Sequence, residues 1–184
     1  MLRVIAGKYK GRRINTEKNS SVRPTMGIVR EAIFNILTSR DLINDVNVLD
    51  LFCGSGSLGF EAISRGAKHI FMVDSDYYNL QLVKKTAETL NVSSNVTLIC
   101  ASADKLPQSI AKCDLIFIDP PYYSNLVEGV LEGLSNSEWL WENTTIVLEI
   151  RKNESFTCSK NYHIIMERAY GITKIIFLQI KNTF

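Results

Sequence analysis

With 184 residues, 46% of them hydrophobic, the chain can bury one good core but is too short for two large domains. No run approaches the ~18 apolar residues that span a bilayer, "MLRVIAGKYKGRR" has no apolar leader segment, and four scattered cysteines without a Cys-x-x-Cys pair fit reduced thiols, so a cytoplasmic protein is expected. The net charge of +2 hides an asymmetry: residues 1–40 hold nine Lys/Arg against two acids and the remainder twelve against seventeen, so a front end near +7 precedes a body near −5, as in a polyanion-binding extension.

In chain order, "RVIAGKYKGRRI" (3–14) predicts a small β-hairpin turning between Gly7 and Gly11, and "EKNSSV" (17–22) a polar linker. "TMGIVREAIFNILTS" (25–39) predicts an amphipathic helix with Ile28, Ala32, Ile33, Ile36 and Leu37 inward. These form an N-terminal extension, 1–40. The main domain, 41–184, alternates short β-rich runs with helical stretches, the signature of a parallel sheet covered on both faces.

The first run, "VNVLDLF" (46–52), enters a loop in which Gly54, Gly56 and Gly59 are spaced as G-x-G-x-x-G, and a helix follows at 57–65. Such a turn lets a nucleoside lie against the backbone and also serves dinucleotides. Asp50, four residues before Gly54, tilts the choice. Its carboxylate would repel a diphosphate and attract a cationic ligand such as S-adenosylmethionine, which carries a sulfonium and an ammonium and no phosphate. The next strand, "HIFMVD" (69–74), ends on Asp74, placed for a pair of ribose hydroxyls in either kind of ligand. A helix at 77–91 has Leu80, Val83, Ala87 and Leu90 on one stripe, and a strand at 96–100 and a short helix at 104–111 follow.

The fourth strand, "DLIFID" (114–119), runs into "PPYYSN". Paired prolines end a strand, since each lacks an N–H and fixes φ, but that leaves the flanking carboxylate and ring unexplained. The exocyclic amine of a nucleobase is a poor nucleophile because its lone pair is delocalised into the ring. The Asp119 carboxylate and the Pro120 carbonyl, held by the rigid turn with Pro121, could accept its two N–H groups and aim the lone pair at a methyl group. Tyr122 could stack on the base, for about 1–3 kcal/mol. Displacement at a sulfonium methyl is then driven by positioning and requires no metal. A flipped or single-stranded nucleotide is expected. Whether Asp119 takes the proton or passes it to water stays open. Strands at 144–150, 162–167 and 173–180 bring the total to seven. "ERAYGIT" (167–173) is too short for a helical crossover and predicts an antiparallel hairpin with Gly171 in its turn.

"DLFCGSGSLGFEA" with "DPPY" resembles the class I methyltransferases that act on amino groups. "RVIAGKYKGRRI" followed by "VRPTMGIVREAIFNIL" narrows this: nearly end to end, and including "YGITKI", the chain is similar to the bacterial RsmD-type 16S rRNA guanine-N2 methyltransferases. The most specific part is the Arg23-Pro24-Thr25 turn with Arg30, Glu31, Phe34 and Asn35 on the next helix. The resemblance implies an α/β fold with a Rossmann-like seven-stranded sheet, mostly parallel with an antiparallel strand near the C-terminus. It implies S-adenosylmethionine as donor, S-adenosylhomocysteine as product and no metal. The implied substrate is the N2 amine of guanine 966 of 16S rRNA, in a small-subunit assembly intermediate, methylated by a monomer that binds no membrane.

Carried over by position, Asp50, Phe52, Gly54 and Gly56 would hold the cofactor, Asp74 its ribose, Ser102 and Ala103 its adenine, and Asp119, Pro120, Pro121 and Tyr122 the target base. Relatives usually have Asp or Asn where this chain has Ser102, with Asp104 displaced. Lys8, Lys10, Arg12, Arg13, Arg23 and Arg30 are the candidates for phosphate contacts, and Arg30 suits a structural acid partner equally well. Cys53, lacking a basic partner, reads as a buried thiol, and Trp139 and Trp141 as cover for the sheet or the pocket rim. The alternatives are a DNA or RNA adenine-N6 or cytosine-N4 methyltransferase, for which the chain has no room for a recognition domain, a protein-glutamine methyltransferase, which usually has Asn in place of Asp119, and an RNA-binding assembly factor without activity.

Overall fold

The computed structural model describes residues 1–17, 24–121 and 126–181, with residues 24–26 described by their backbone alone. The apolar runs form one sheet: β1 (Asn47–Asp50), β2 (His69–Asp74), β3 (Val96–Cys100), β4 (Leu115–Ile118), β5 (Thr145–Arg151), β6 (Tyr162–Tyr170) and β7 (Thr173–Ile180), in the order β3-β2-β1-β4-β5-β7-β6. The first five strands pair in parallel, and β7 lies antiparallel between β5 and β6, as the sequence predicts. The last hairpin is tighter than expected. β6 runs on to Tyr170, which pairs with Thr173, so only Gly171 and Ile172 turn. Glu167, Arg168 and Ala169 are exposed, and an edge strand with such residues shows no apolar alternation in sequence.

Strands β1 to β3 build outward in one direction, and β4 returns to the other side of β1. The reversal opens a crevice at the carboxyl ends of β1 and β4, where sheets of this kind bind ligands. Four helices flank the sheet among the described residues: α1 (Pro24–Ser39), α2 (Ser57–Ser64), α3 (Tyr77–Leu90) and α4 (Leu126–Ser135). The first three share a core with Val48, Met72, Phe117 and Val147 on one face. On the other face α4 and Trp139 pack with Leu49, Phe71, Ile116 and Leu148.

Two helices differ from expectation. α1 buries Val29, Ile33, Phe34 and Leu37 and leaves Ile28 exposed, a rotation that sets the Phe34 ring 5.6 Å from that of Phe117. Residues 104–111 form no helix. Pro107 lacks the N–H an interior turn needs, and its carbonyl instead accepts from the Trp139 indole at 3.1 Å. The crossover helix after β4 is α4, whose buried stripe Val127, Val130, Leu131 and Leu134 has helical spacing, although Gly129 and Gly133 lower its propensity by roughly 1 kcal/mol each.

The first fifteen residues are bonded into the body. Arg3 bridges Arg13 in the expected antiparallel turn. The fully buried Glu61 of α2 accepts from the amides of Ile5 (2.7 Å) and Ala6 (3.0 Å) and pairs with Arg65 (2.9 Å). At Gly7, φ is +81° and an added Cβ would lie 1.9 Å from the Ser64 carbonyl oxygen, so only glycine fits this contact. The Lys8 amide donates to Ser64, and the Arg12 guanidinium donates to Thr89 near the end of α3. Both helices start at the carboxyl edge and end at the amino edge, where Gly66 meets Asp45. The hairpin therefore caps the amino edge. The 14 residues of α3 separate it from the crevice by about 20 Å.

Candidate active site

The crevice is a pocket of about 560 Å³ at the carboxyl edge. Its lining brings together Phe52, Gly54, Asp74, Ser102, Ala103, Asp119, Pro120 and Pro121 from four separate loops, each named by the sequence reading. Tyr122 and Arg23 lie outside the described residues. Lys8, Lys10, Arg12 and Arg13 are exposed at the opposite edge. Arg30 is 7% exposed, donates to the Arg3 carbonyl at 2.7 Å and stands 4.0 Å from Glu61, an acid partner elsewhere in the fold.

The glycine loop owes its shape to left-handed backbone at Gly54 (φ +50°) and Gly56 (φ +76°). A Cβ on Gly56 would also lie 2.8 Å from the Phe60 ring. Asp74 clamps this loop. One carboxylate oxygen accepts from the Gly54 amide (2.8 Å) and Asn79 (3.3 Å), the other from the Asp76 amide (2.8 Å). Three of its roughly four acceptor sites are thus used, leaving about one for a ligand hydroxyl. The Ser102 hydroxyl donates to Asp104, so this pair ties up the donor that an adenine nitrogen would need and leaves the hydroxyl oxygen as an acceptor.

Asp50 is the anomaly. It is 1% exposed, and neither carboxylate oxygen has a hydrogen bond of good geometry among the described residues, the Gly59 amide approaching it only loosely. Burial, then the charge of Asp119 and that of Asp74, push its pKa up to about 7, against which the Gly59 amide favours the charged form. An orphaned buried carboxylate is costly unless a cation or donor meets it. A cationic ligand end fits, and a phosphate does not.

Sequence reasoning missed Glu149, which also lines the pocket. Ile118 pairs with Leu148, so Asp119 and Glu149 emerge side by side. Alternation puts Asp50, Asp119 and Glu149 on the same face as Val48, Phe117 and Val147. Burial raises Asp119 to about 6, and burial with the Asp119 charge raises Glu149 to about 8. The two titrate as a pair, and burial side by side disfavours ionising both at once. Cys53 is buried, with its thiol pushed well up by burial and the charges of Asp50 and Asp74. It is no nucleophile.

A seven-stranded sheet of this order with a glycine loop and an acid-Pro-Pro turn at its switch point is the architecture of a class I methyltransferase, a class that uses S-adenosylmethionine. The solved structure of yhhF from Escherichia coli superposes with a TM-score of 0.85 at 30% identity, covering 98% of each chain. The chain is 35% identical to "Ribosomal RNA small subunit methyltransferase D" of Haemophilus influenzae, covering 93% of this chain and 90% of that one. It is 34% identical to "Uncharacterized methylase RP545" of Rickettsia prowazekii, covering 99% of each. The family model described as "Conserved hypothetical protein 95" matches residues 2–179, and the chain belongs to this family, the RsmD-type methyltransferases.

Proposed function

We propose that this chain transfers a methyl group from S-adenosylmethionine to the exocyclic N2 amine of a guanine in 16S rRNA, guanine 966 by family resemblance, during small-subunit assembly. The observation that carries the reading is the juxtaposition, in one pocket, of Asp119 and Pro120 with the glycine loop, beside the orphaned carboxylate of Asp50. The relatives named as ribosomal RNA small subunit methyltransferase D support RNA as the substrate.

When bound, the donor supplies an electrophilic methyl group on a sulfonium. Asp50, Phe52, Gly54 and Gly56 would hold its charged end, Asp74 its ribose, and Ser102 with Ala103 its base. The Asp119 carboxylate and the Pro120 carbonyl would accept the two N–H groups of the amine, which orients its lone pair, and Tyr122 would stack on the guanine. Glu149 beside Asp119 would share a proton with it, so that the pair carries one negative charge rather than two. The exposed Lys8, Lys10, Arg12 and Arg13, about 20 Å away along α3, would meet phosphates remote from the target nucleotide, Arg23 is a further candidate for a phosphate contact, and Arg30 braces the hairpin.

The test is Asp119→Ala. Methyl transfer to ribosomal RNA should fall by at least 10³-fold, a loss of positioning, while the affinity for S-adenosylmethionine changes less than threefold. Undiminished turnover would refute the assignment.

A further inference from the structure

A second cleft, of about 600 Å³, lies at the same edge of the sheet. Its walls are the residues leaving β5, Arg151 to Ser155, and the β6–β7 turn, Gly171 and Ile172. The register explains why they meet: β7 runs antiparallel to β5, Arg151 pairs with Thr173, and the Lys152 amide donates to the Ile172 carbonyl at 2.8 Å. The cleft begins two residues beyond Glu149, which lines the active-site pocket. That separation is about 7 Å along a strand, so a polymer seated in one pocket passes the other.

The chemistry of the edge is lopsided. Around the pocket it carries Asp50, Asp74, Asp76, Asp119 and Glu149, which suit a cationic cofactor and repel a phosphate chain. The bases of the hairpin face the opposite edge. The cleft, by contrast, is lined by Arg151 and Lys152, with Lys152 exposed. One acid of the cleft, Glu154, is turned toward its own loop, where it accepts from the Arg151 amide at 3.4 Å. Ile172 is 54% exposed at the tip of its turn, a flat apolar surface between the bases.

We propose that this cleft seats the RNA strand immediately flanking the target nucleotide, with Lys152 against a phosphate and Ile172 against a neighbouring base or ribose. The proposal rests on the rRNA-methyltransferase reading above. Bases beside an exposed apolar contact, next to a pocket rimmed by acids, favour a nucleic acid strand over a protein partner.

The experiment uses the full chain and whichever rRNA substrate, free or in subunits, the parent methylates. Lys152→Glu should raise KM for that substrate at least tenfold with kcat and cofactor affinity unchanged. Lys152→Ala should lower the log–log salt slope of binding by about 0.7, the share of one phosphate in a single strand. A photoreactive residue replacing Ile172 should crosslink to RNA within two nucleotides of the methylated one. Unchanged KM and salt slope, or crosslinks to a protein or to distant RNA, would overturn the cleft assignment while leaving the activity intact. A parent protein that methylates no rRNA would instead refute the reading on which the proposal stands.

Discussion

Replacing Glu61 should detach the N-terminal hairpin from α2. Its fully buried carboxylate accepts two backbone amides, Ile5 and Ala6, and pairs with Arg65, with Arg30 at 4.0 Å. Hydrogen bonds to a charged group contribute about 1.5–3 kcal/mol each, and removing one partner of a buried ion pair costs about 3–5 kcal/mol. Because these losses share one group they do not add, so Glu61→Ala should cost about 3–5 kcal/mol. Glu61→Gln keeps one acceptor but turns an NH₂ toward donors, and should cost about 2–4 kcal/mol by the same accounting. At roughly 2–4 °C per kcal/mol for a chain of this size, the alanine variant should melt about 6–20 °C below the parent. Thermal unfolding followed by circular dichroism measures this, and amide exchange at Ile5 and Ala6 should accelerate beyond the global loss. If Glu61→Gln melted within 1 °C of the parent with those amides still protected, the hairpin would not be held as described.

Two further outcomes follow from the buried carboxylates. Asp50, Asp119 and Glu149 have pKa values raised in the fold to about 7, 6 and 8, so the folded state binds protons more tightly than the unfolded one. Their contribution to stability is full below about pH 4 and is lost as pH rises through about 6–8. The urea midpoint of the ligand-free protein should therefore fall between pH 5 and pH 8.5, and Glu149→Gln should flatten that fall; a midpoint that rose over the same range would contradict the assignment. For the cofactor the sign reverses at Asp50. A cationic ligand favours the ionised carboxylate, so affinity for S-adenosylmethionine, measured by calorimetry, should tighten as pH rises through about 7. Asp50→Asn should abolish the pH dependence and weaken binding at least tenfold; an equal slope in the variant would remove Asp50 from the cation site.

The sheet and the cofactor loop were legible because their signals are local. Apolar runs of five to eight residues marked the strands, and Asp50, Gly54, Asp74 and Asp119 fall at or just beyond strand ends that the alternation of elements brings to one edge. Glu149 was not legible, because a single acid inside "TIVLEI" means little until the pairing of Ile118 with Leu148 sets it beside Asp119. The same holds for the basic hairpin. Its charges are visible in the sequence, but its place at the amino edge depends on Glu61, Ser64 and Thr89, contacts made 55 to 77 residues away. α4 was hidden by two glycines that lower helix propensity while its apolar stripe keeps helical spacing. In α1 two apolar stripes compete, and the one carrying Phe34 packs inward because its ring finds Phe117.

The central claim is tested most directly by incubating the protein with S-adenosylmethionine labelled in its methyl group and with 16S rRNA, free and in small subunits lacking the modification, then digesting the RNA to nucleosides. The account predicts label in N2-methylguanosine at a single position, absent when Asp119→Ala replaces the parent. Label in N6-methyladenosine or N4-methylcytidine, or no transfer to either substrate, would contradict it.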